Sequence, residues 1–568
     1  MSGPGDRASK MFAKGEPTQS HYADGHAATT DSVDLVAAVP PGSETSASSH
    51  MPFAREPGHL GGASPESTGR QPREGASRTP RSQASEGSDA RVVPEKSANS
   101  WVTPEESMEE RRAANGKLVP RNAPRAQDRI GAPTSLERVG QRALNHREER
   151  FTNLLSHVKV PLLKEAYSSL RKKAAPGVDG VTWKEYGEKL DANLLHLQDR
   201  IHRGSYHPLP VRRVHIPKGD GTRPLGIPAL EDKIVQQAVR RVLEPIYESI
   251  FLGFSYGFRP RRSAHDALDA LAVAIGKEKV NWVLDADIRS FFDTIDHGWM
   301  QKFIEHRIAD RRLVKLLLKW LHAGVLENGV LHTVEEGTPQ GGIISPLLAN
   351  IYLHYVLDLW AQRWRRRNAR GEVYIVRYAD DFVMGFEDGR DARSMRAALA
   401  KRLDSFGLEL HPDKTRILFF GRYAHEKCER KGLVKPSTFD FLGFTHVTTR
   451  DERGWFRLMR RTSRKKRVAK LAALRQELRR RRHDPAATQY AWLTSVLRGH
   501  FQYYGVPGNE RAMVTFRAHL RGAWYRQLHR RSQRADWNMV QTKRFERRYP
   551  LLKPRVVHPW PEQRFALP

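Results

Sequence analysis

The stretch Val373-Tyr-Ile-Val-Arg-Tyr-Ala-Asp-Asp-Phe-Val-Met-Gly-Phe386 decides how this chain reads. Its two flanks are β-branched and aromatic, which predicts two short strands joined at Tyr378-Ala379-Asp380-Asp381. Two adjacent carboxylates beside apolar runs are costly unless they are paired, hydrogen-bonded or bound to metal. Asp also favours turns, so the dipeptide alone reads more readily as an ordinary hairpin turn. The rest of the chain has to change that balance.

A partner stands upstream. Asn281–Ser290, NWVLDADIRS, is an apolar strand that ends in acid, and alternation puts Asp285 and Asp287 on one face. If the strands are neighbours, Asp287 meets Asp380 and Asp381. Three converging carboxylates beside a basic loop suit two-metal phosphoryl transfer, with Mg²⁺ as the ion that a few carboxylates and substrate phosphates satisfy. A basic loop is present: Val211–Pro228 reads as two strands around a Gly-Asp-Gly turn flanked by Lys218 and Arg223. By itself it is either a solvated hairpin or a clamp on a triphosphate. Arg259, Arg261 and Arg262 interleave with Tyr256 and Phe258, offering cation and stacking surface to a nucleic-acid strand.

The 568 residues carry a formal net charge of +32, with a pI near 10.3 and 39% hydrophobic residues. A chain this basic points to a polyanion, nucleic acid first. No apolar run approaches a membrane span and no secretory signal opens the chain, so a cytoplasmic protein (bacterial, with nucleoid association allowed) and no membrane partner are expected. The single cysteine, Cys428, excludes intramolecular disulfides and multi-cysteine zinc sites.

Charge is unevenly spread. Residues 1–100 hold 10 Lys/Arg and 12 Asp/Glu in a Ser/Gly/Ala/Pro-rich background, which predicts disorder. Residues 451–568 hold 29 Lys/Arg against 8 Asp/Glu, a net of +21. Within them, Arg464–His483 has Val468, Leu471, Leu474 and Leu478 at helical spacing with an arginine-rich outer face. Like charges at that spacing repel, and a bound polyanion is the natural compensator. Arg464, Lys465, Lys466, Arg467, Arg479 and Arg480 are therefore candidate nucleic-acid contacts. Helices are expected at Asn193–Arg203, Asp232–Glu248, from Phe291, at Leu313–Leu321, Leu347–Trp364 and Ala392–Phe406, and a last strand pair around Phe439–Phe444.

In order, GVDG, RRVHIPKGDGTRPLGIP, FSYGFRPRRSAHDAL, DADIRSFFDTIDH, GTPQGGIISPLLANIYL, RYADDFV, GLELHPDKT and FDFLGF resemble the successive blocks of group II intron-encoded reverse transcriptases, over roughly residues 137 to 568. The resemblance implies an α+β fold: fingers and a palm built on a ferredoxin-like sheet, then an α-helical thumb or maturase domain. The expected division is 1–134 disordered tail and linker, 135–280 N-terminal extension and fingers, 281–450 palm, 451–530 thumb, and 531–568 a basic nucleic-acid-binding segment. It implies an RNA-directed DNA polymerase using two Mg²⁺ and dNTPs. Expected partners are an intron RNA that the protein helps to splice, a template RNA–DNA primer duplex and a target DNA. By resemblance Asp287 and Asp380 are metal ligands and Asp381 a supporting one. Lys218 and Arg223 hold the triphosphate. Phe292 excludes the ribose 2′-hydroxyl, Pro339 and Gln340 pack on the nascent base pair, and Lys414 is a general acid. An HNH nuclease with paired cysteines, common in relatives, is not expected, since no Cys follows Cys428. Retron, diversity-generating and defence-type reverse transcriptases, or a splicing-only maturase, are the alternatives.

Overall fold

The chain is α+β, and among the described residues eleven strands form three sheets. The computed structural model describes residues 134–218, 221–327, 330–332, 337, 341–531 and 538–561. The tail, residues 1–133, lies outside them, as do Pro339, Gln340 and the side chain of Lys218.

β1 (Val211–Lys218) and β2 (Gly221–Ile227) form the expected antiparallel hairpin, with Lys218 opposite Gly221. β1 also pairs in parallel with the start of a second hairpin, β4 (Val325–Glu327) and β5 (Val330–His332). The central sheet contains β3 (Trp282–Asp287), β6 (Val373–Tyr378), β7 (Asp381–Phe386) and β8 (Arg416–Phe419) in the order β6-β7-β3-β8, every neighbour antiparallel.

Alternation gives this sheet two apolar faces. Leu284, Ala286, Ile375, Phe382, Met384 and Phe386 enter one core, which also takes Ile234, Val235 and Val239 from the helix Leu230–Glu248 and Leu348 and Tyr352 from the helix Ser345–Leu353. Val283, Val376 and Val383 enter another, under the helix Ala264–Lys277. Each fully buried large apolar side chain contributes about 1.5–3 kcal/mol. The first core runs without a break from Ala143 to Leu408, so the expected border at 280/281 is not a break in packing.

The third sheet has the order β11-β10-β9, from β9 (Phe439–Phe441), β10 (Phe444–Arg450) and β11 (Phe456–Thr462). The border expected at 450/451 falls inside the turn of a hairpin paired over seven positions. Composition misleads here because β11 is arginine-rich. Yet Arg460 is buried, 2.6 Å from the equally buried Asp269, while Arg457 and Arg461 face outward. The helical part begins at Arg464. Helices Arg464–Arg480, Ala486–Tyr504 and Glu510–His529 share a core of Leu471, Leu474, Leu478, Leu493, Leu497, Phe516 and Trp524. Val468, expected in that stripe, is 56% exposed, since the stripe meets its partner only from Leu471 onward. Part of the segment beyond 531 returns to this body: Leu551 enters the core, and the Val557 and His558 amides donate to Gly505 O.

Two helix expectations change. The chain after Phe291 makes only a 3₁₀ turn, Phe291–Asp293, entered through Ser290 at φ 47°, and the helix His297–Arg307 starts at an Asp296 cap. The helix foreseen at Leu347–Trp364 is interrupted by a π-helical stretch, His354–Asp358, between Ser345–Leu353 and Leu359–Arg367. Among the described residues no helix is long and apolar enough to cross a membrane.

Candidate active site

The pairing register brings the sequence-predicted acids together. Asp287, the last residue of β3, stands directly opposite Asp381, the first residue of β7. The two-residue loop Ala379-Asp380 joins β6 to β7, with Tyr378 opposite Asp381. Ala379 adopts φ 57°, a left-handed conformation that alanine seldom takes. Asp285 lies two residues back on the same face as Asp287 and pairs with Arg416 at 3.0 Å.

Lys414 reaches Asp287: its Nζ is 2.5 Å from Oδ2. Main-chain bonds put it there. The His411 amide donates to Asp287 O at 2.8 Å, the Arg289 amide to Glu409 O at 2.8 Å, and the Thr415 amide to His411 O at 3.0 Å. The Glu409–Thr415 segment is thereby laced onto the end of β3, with an Arg289–Glu409 ion pair at 3.0 Å across the seam.

Asp381 keeps an edge open to solvent while protein crowds its carboxyl. That crowding, then the charges of Asp380, Asp287 and Asp285, push its pKa up to about 7, against the pull of Lys466. Burial also raises the pKa of Asp285. Lys466, at the start of the basic helix, is thus close enough to act on this cluster. Among the described residues no group of three or more His, Cys, Asp or Glu side chains stands arranged to hold a metal ion, and Asp287 is turned to Lys414. The chemistry of the set still fits a hard divalent cation. It offers several carboxylate oxygens at one end of the sheet, the hard donors such an ion takes.

Phe292 is half-buried on the 3₁₀ turn after β3, edge-to-face with Phe291 at 5.3 Å. The loop expected to carry Pro339 and Gln340 lies outside the described residues, but the glycines at its ends are anchored. The Gly337 amide donates to Ile295 O at 2.7 Å, and a Cβ there would come within 2.8 Å of Phe292 O. A Cβ on Gly341 would come within 2.2 Å of Gly226 O on β2. One end therefore lies against the Phe292 turn and the other against the strand that carries the half-buried Arg223.

The arginine cluster after the helix Leu230–Glu248 is sorted differently from expectation. Arg259 is not a surface cation. Its side chain is 4% exposed, it holds Glu248 through Nε and Nη2, and it donates to the carbonyls of Leu252 and Ser255 at 2.7 Å. No face is left for a strand, because an Arg buried this deeply needs its carboxylate and carbonyls. Tyr256 is likewise buried and cannot stack on a base. Arg261 and Phe258 are exposed, and Arg262 is half-buried, donating to Gly253 O at 2.8 Å. Arg464, Lys465, Lys466, Arg479 and Arg480 are exposed and Arg467 half-buried, with Arg480 paired to Glu477 at 2.8 Å.

Sequence reasoning missed Asp358, Arg377 and Asn350, which are buried and joined by hydrogen bonds that reach Ala379 O of the acid turn. A signal existed: an Asp inside an apolar helix and an Arg inside an apolar strand are rarely buried unless paired.

Residues 216–446 match the family model described as reverse transcriptase (RNA-dependent DNA polymerase). The chain is 38% identical over 328 residues to Protein YkfC of Escherichia coli (strain K12), covering 50% of this chain and 86% of that protein. It is 39% identical over 231 residues to the group II intron-encoded protein LtrA of Lactococcus lactis, 39% of this chain and 38% of that one. A nuclear intron maturase of Arabidopsis thaliana mitochondria is 28% identical over 153 residues, 27% of this chain and 19% of its own length. The chain thus spans most of the first of these relatives and well under half of the other two.

Proposed function

The chain belongs to the reverse transcriptase family, as a group II intron reverse transcriptase/maturase, and on that premise we propose that it copies primed RNA into DNA and binds an intron RNA whose splicing it assists. The observation that carries this reading is the register of Asp287 opposite Asp381, with the Asp380 turn beside them and Lys414 held on Asp287.

In this reading the β6-β7-β3-β8 sheet is the palm. Its antiparallel order, with a hairpin joining the second and third strands in sequence and one helix between the third and fourth, supports a ferredoxin-like description. The β1–β2 hairpin belongs to the fingers and the bundle from Arg464 onward is the thumb. Asp287 and Asp380, with Asp381 supporting, would hold two Mg²⁺. Such ions, when bound, activate a primer 3′-hydroxyl and neutralise charge on departing pyrophosphate. Lys218 and Arg223 hold the dNTP triphosphate through charge-assisted hydrogen bonds. Phe292 closes the space a ribose 2′-hydroxyl would need, and Pro339 and Gln340 pack on the new base pair. As the 3′ oxygen bonds to the α-phosphorus and the bond to pyrophosphate breaks, Lys414 can supply the proton the leaving group takes up. The exposed cations at the start of the helix Arg464–Arg480 hold the phosphate backbone of the template–primer duplex or of the intron RNA.

The test is primer extension on an RNA template by the purified full chain with Mg²⁺, comparing dNTPs with NTPs. Wild type extends with dNTPs only, and Phe292→Ala admits NTPs. No incorporation by wild type, or a Phe292→Ala enzyme still blind to NTPs, sinks respectively the activity or the gate.

A further inference from the structure

On the face of the palm sheet opposite Asp285 and Asp287 lies a chain of hydrogen bonds that none of the roles above uses. Arg377 sits on β6 two residues before Ala379, with no exposed side chain. Its Nε and Nη2 donate to both oxygens of Asp358, at 2.7 and 2.5 Å. Its Nη1 donates to Ala379 O and to Asn350 Oδ1, each at 3.0 Å. Asn350 Nδ2 donates onward to Gly257 O at 2.7 Å. Gly257 presses on the same turn from the side, for a Cβ there would stand 2.3 Å from Ala379 N. The strand-like segment continues this contact: the Tyr256 amide donates to Arg377 O at 2.8 Å and the Arg377 amide to Phe254 O at 2.9 Å.

The elements that deliver these groups carry irregularities. Asp358 closes the π-helical stretch His354–Asp358, and such bulges re-aim side chains at functional positions. Ala379 holds a positive φ that its residue type disfavours. A buried ion pair is weak evidence for stability, since apolar side chains of similar volume would serve as well. What an apolar trio could not do is grip the Ala379 carbonyl.

The geometry points to Asp358, Arg377 and Asn350 as positioning residues, a buried brace that fixes the Ala379 peptide and so aims Asp380 and Asp381. The brace acts through the turn and touches no substrate. The inference rests on the reading of that turn as the polymerase site.

Two full-length variants test it: Asn350→Ala, and Asn350→Asp, which keeps the volume and the acceptor for Arg377 but loses the donor to Gly257 O. Turnover per active site is taken from the burst amplitude, so misfolded protein does not count. Hydrogen exchange of peptides spanning 373–386 is read on the free protein. Expected is a fall in kcat on the order of 10²-fold, the cost of roughly 1 Å of misplacement. KM for dNTP and the Kd for primed RNA stay unchanged, and exchange quickens at the turn but not in the bundle core. Loss confined to Tm and active fraction, with kcat per site and local exchange as in wild type, would overturn the brace. An inert wild type would instead sink the polymerase reading, leaving exchange to judge the brace alone.

Discussion

Gly257→Ala asks how much displacement the acid turn tolerates. The φ of Gly257 is not in the left-handed region, so alanine meets no backbone penalty there, and the effect is steric. The added Cβ would stand 2.3 Å from Ala379 N, 2.9 Å from the Tyr378 carbonyl carbon and 3.1 Å from Ala379 Cα. All three are backbone atoms of the hairpin that carries Asp380 and Asp381, so no flexible side chain can swing away. Ordinary contact begins near 3.4 Å, so something has to yield by about 1.1 Å. The segment bearing Gly257 is held by Asn350 on one side and is bonded to β6 on the other, so the hairpin tip yields with it. A shift of that size costs roughly 10²-fold in rate, or about 2.7 kcal/mol of transition-state stabilisation. The assay is single-turnover extension of a primed RNA template at saturating dNTP, with RNA affinity measured alongside. Affinity should hold, because the exposed cations of the helix Arg464–Arg480 are untouched. Gly499→Ala is the control: its Cβ meets nothing within 4 Å on an exposed helix face, and it should gain up to about 1 kcal/mol of stability with unchanged rate. A Gly257→Ala enzyme as fast as wild type would refute the argument that the turn is set by this contact.

The remaining expectations concern charge. His446 is fully buried, stacked on Phe439 at 4.7 Å, and burial followed by the Arg460 charge holds its pKa down at about 3. It stays neutral in the fold but takes a proton below its ordinary 6.5 once unfolded, so its stabilising share is complete above pH 6.5 and drains as pH falls toward 3. At pH 5 that loss is about 2 kcal/mol, and His446→Phe should shrink the pH 7 to pH 5 drop in unfolding free energy by that amount. An unchanged drop would place the acid sensitivity elsewhere. Replacing Arg464, Lys465, Lys466 and Arg467 together by Ala should weaken RNA binding and flatten its log–log salt slope by about 3 for four lost phosphate contacts. A slope equal to wild type would remove this helix from the RNA surface.

How far the sequence could be read depended on whether a residue's neighbours were local. The acid strand and the Asp-Asp hairpin were legible because period-two alternation is written in the residues themselves, and it put Asp285 and Asp287 on one face. The β1–β2 hairpin announced itself by its Gly-Asp-Gly turn. Arg259 was misread because its fate depends on Glu248, on a preceding helix whose approach no spacing rule reveals. β11 went unseen because its arginines look like a solvated run, although Arg460 alternates inward to meet Asp269 from far upstream. The π-helical stretch at His354–Asp358 left no mark in the apolar pattern, so although Asp358 and Arg377 stood out as charges in apolar runs, nothing in the sequence showed that they and Asn350 meet. Composition likewise set a border at 450/451 where charge changes, while hydrogen bonds hold the chain together to Thr462.

The central claim is that Asp287, Asp380 and Asp381 form a polymerase site on a protein that also binds RNA through basic surfaces. The most direct test is primed-RNA extension by Asp380→Ala and wild type in parallel, each with its RNA affinity measured. Wild type should make cDNA with Mg²⁺ and dNTPs, and Asp380→Ala should make none while binding RNA as wild type does. Undiminished synthesis by Asp380→Ala would contradict the site.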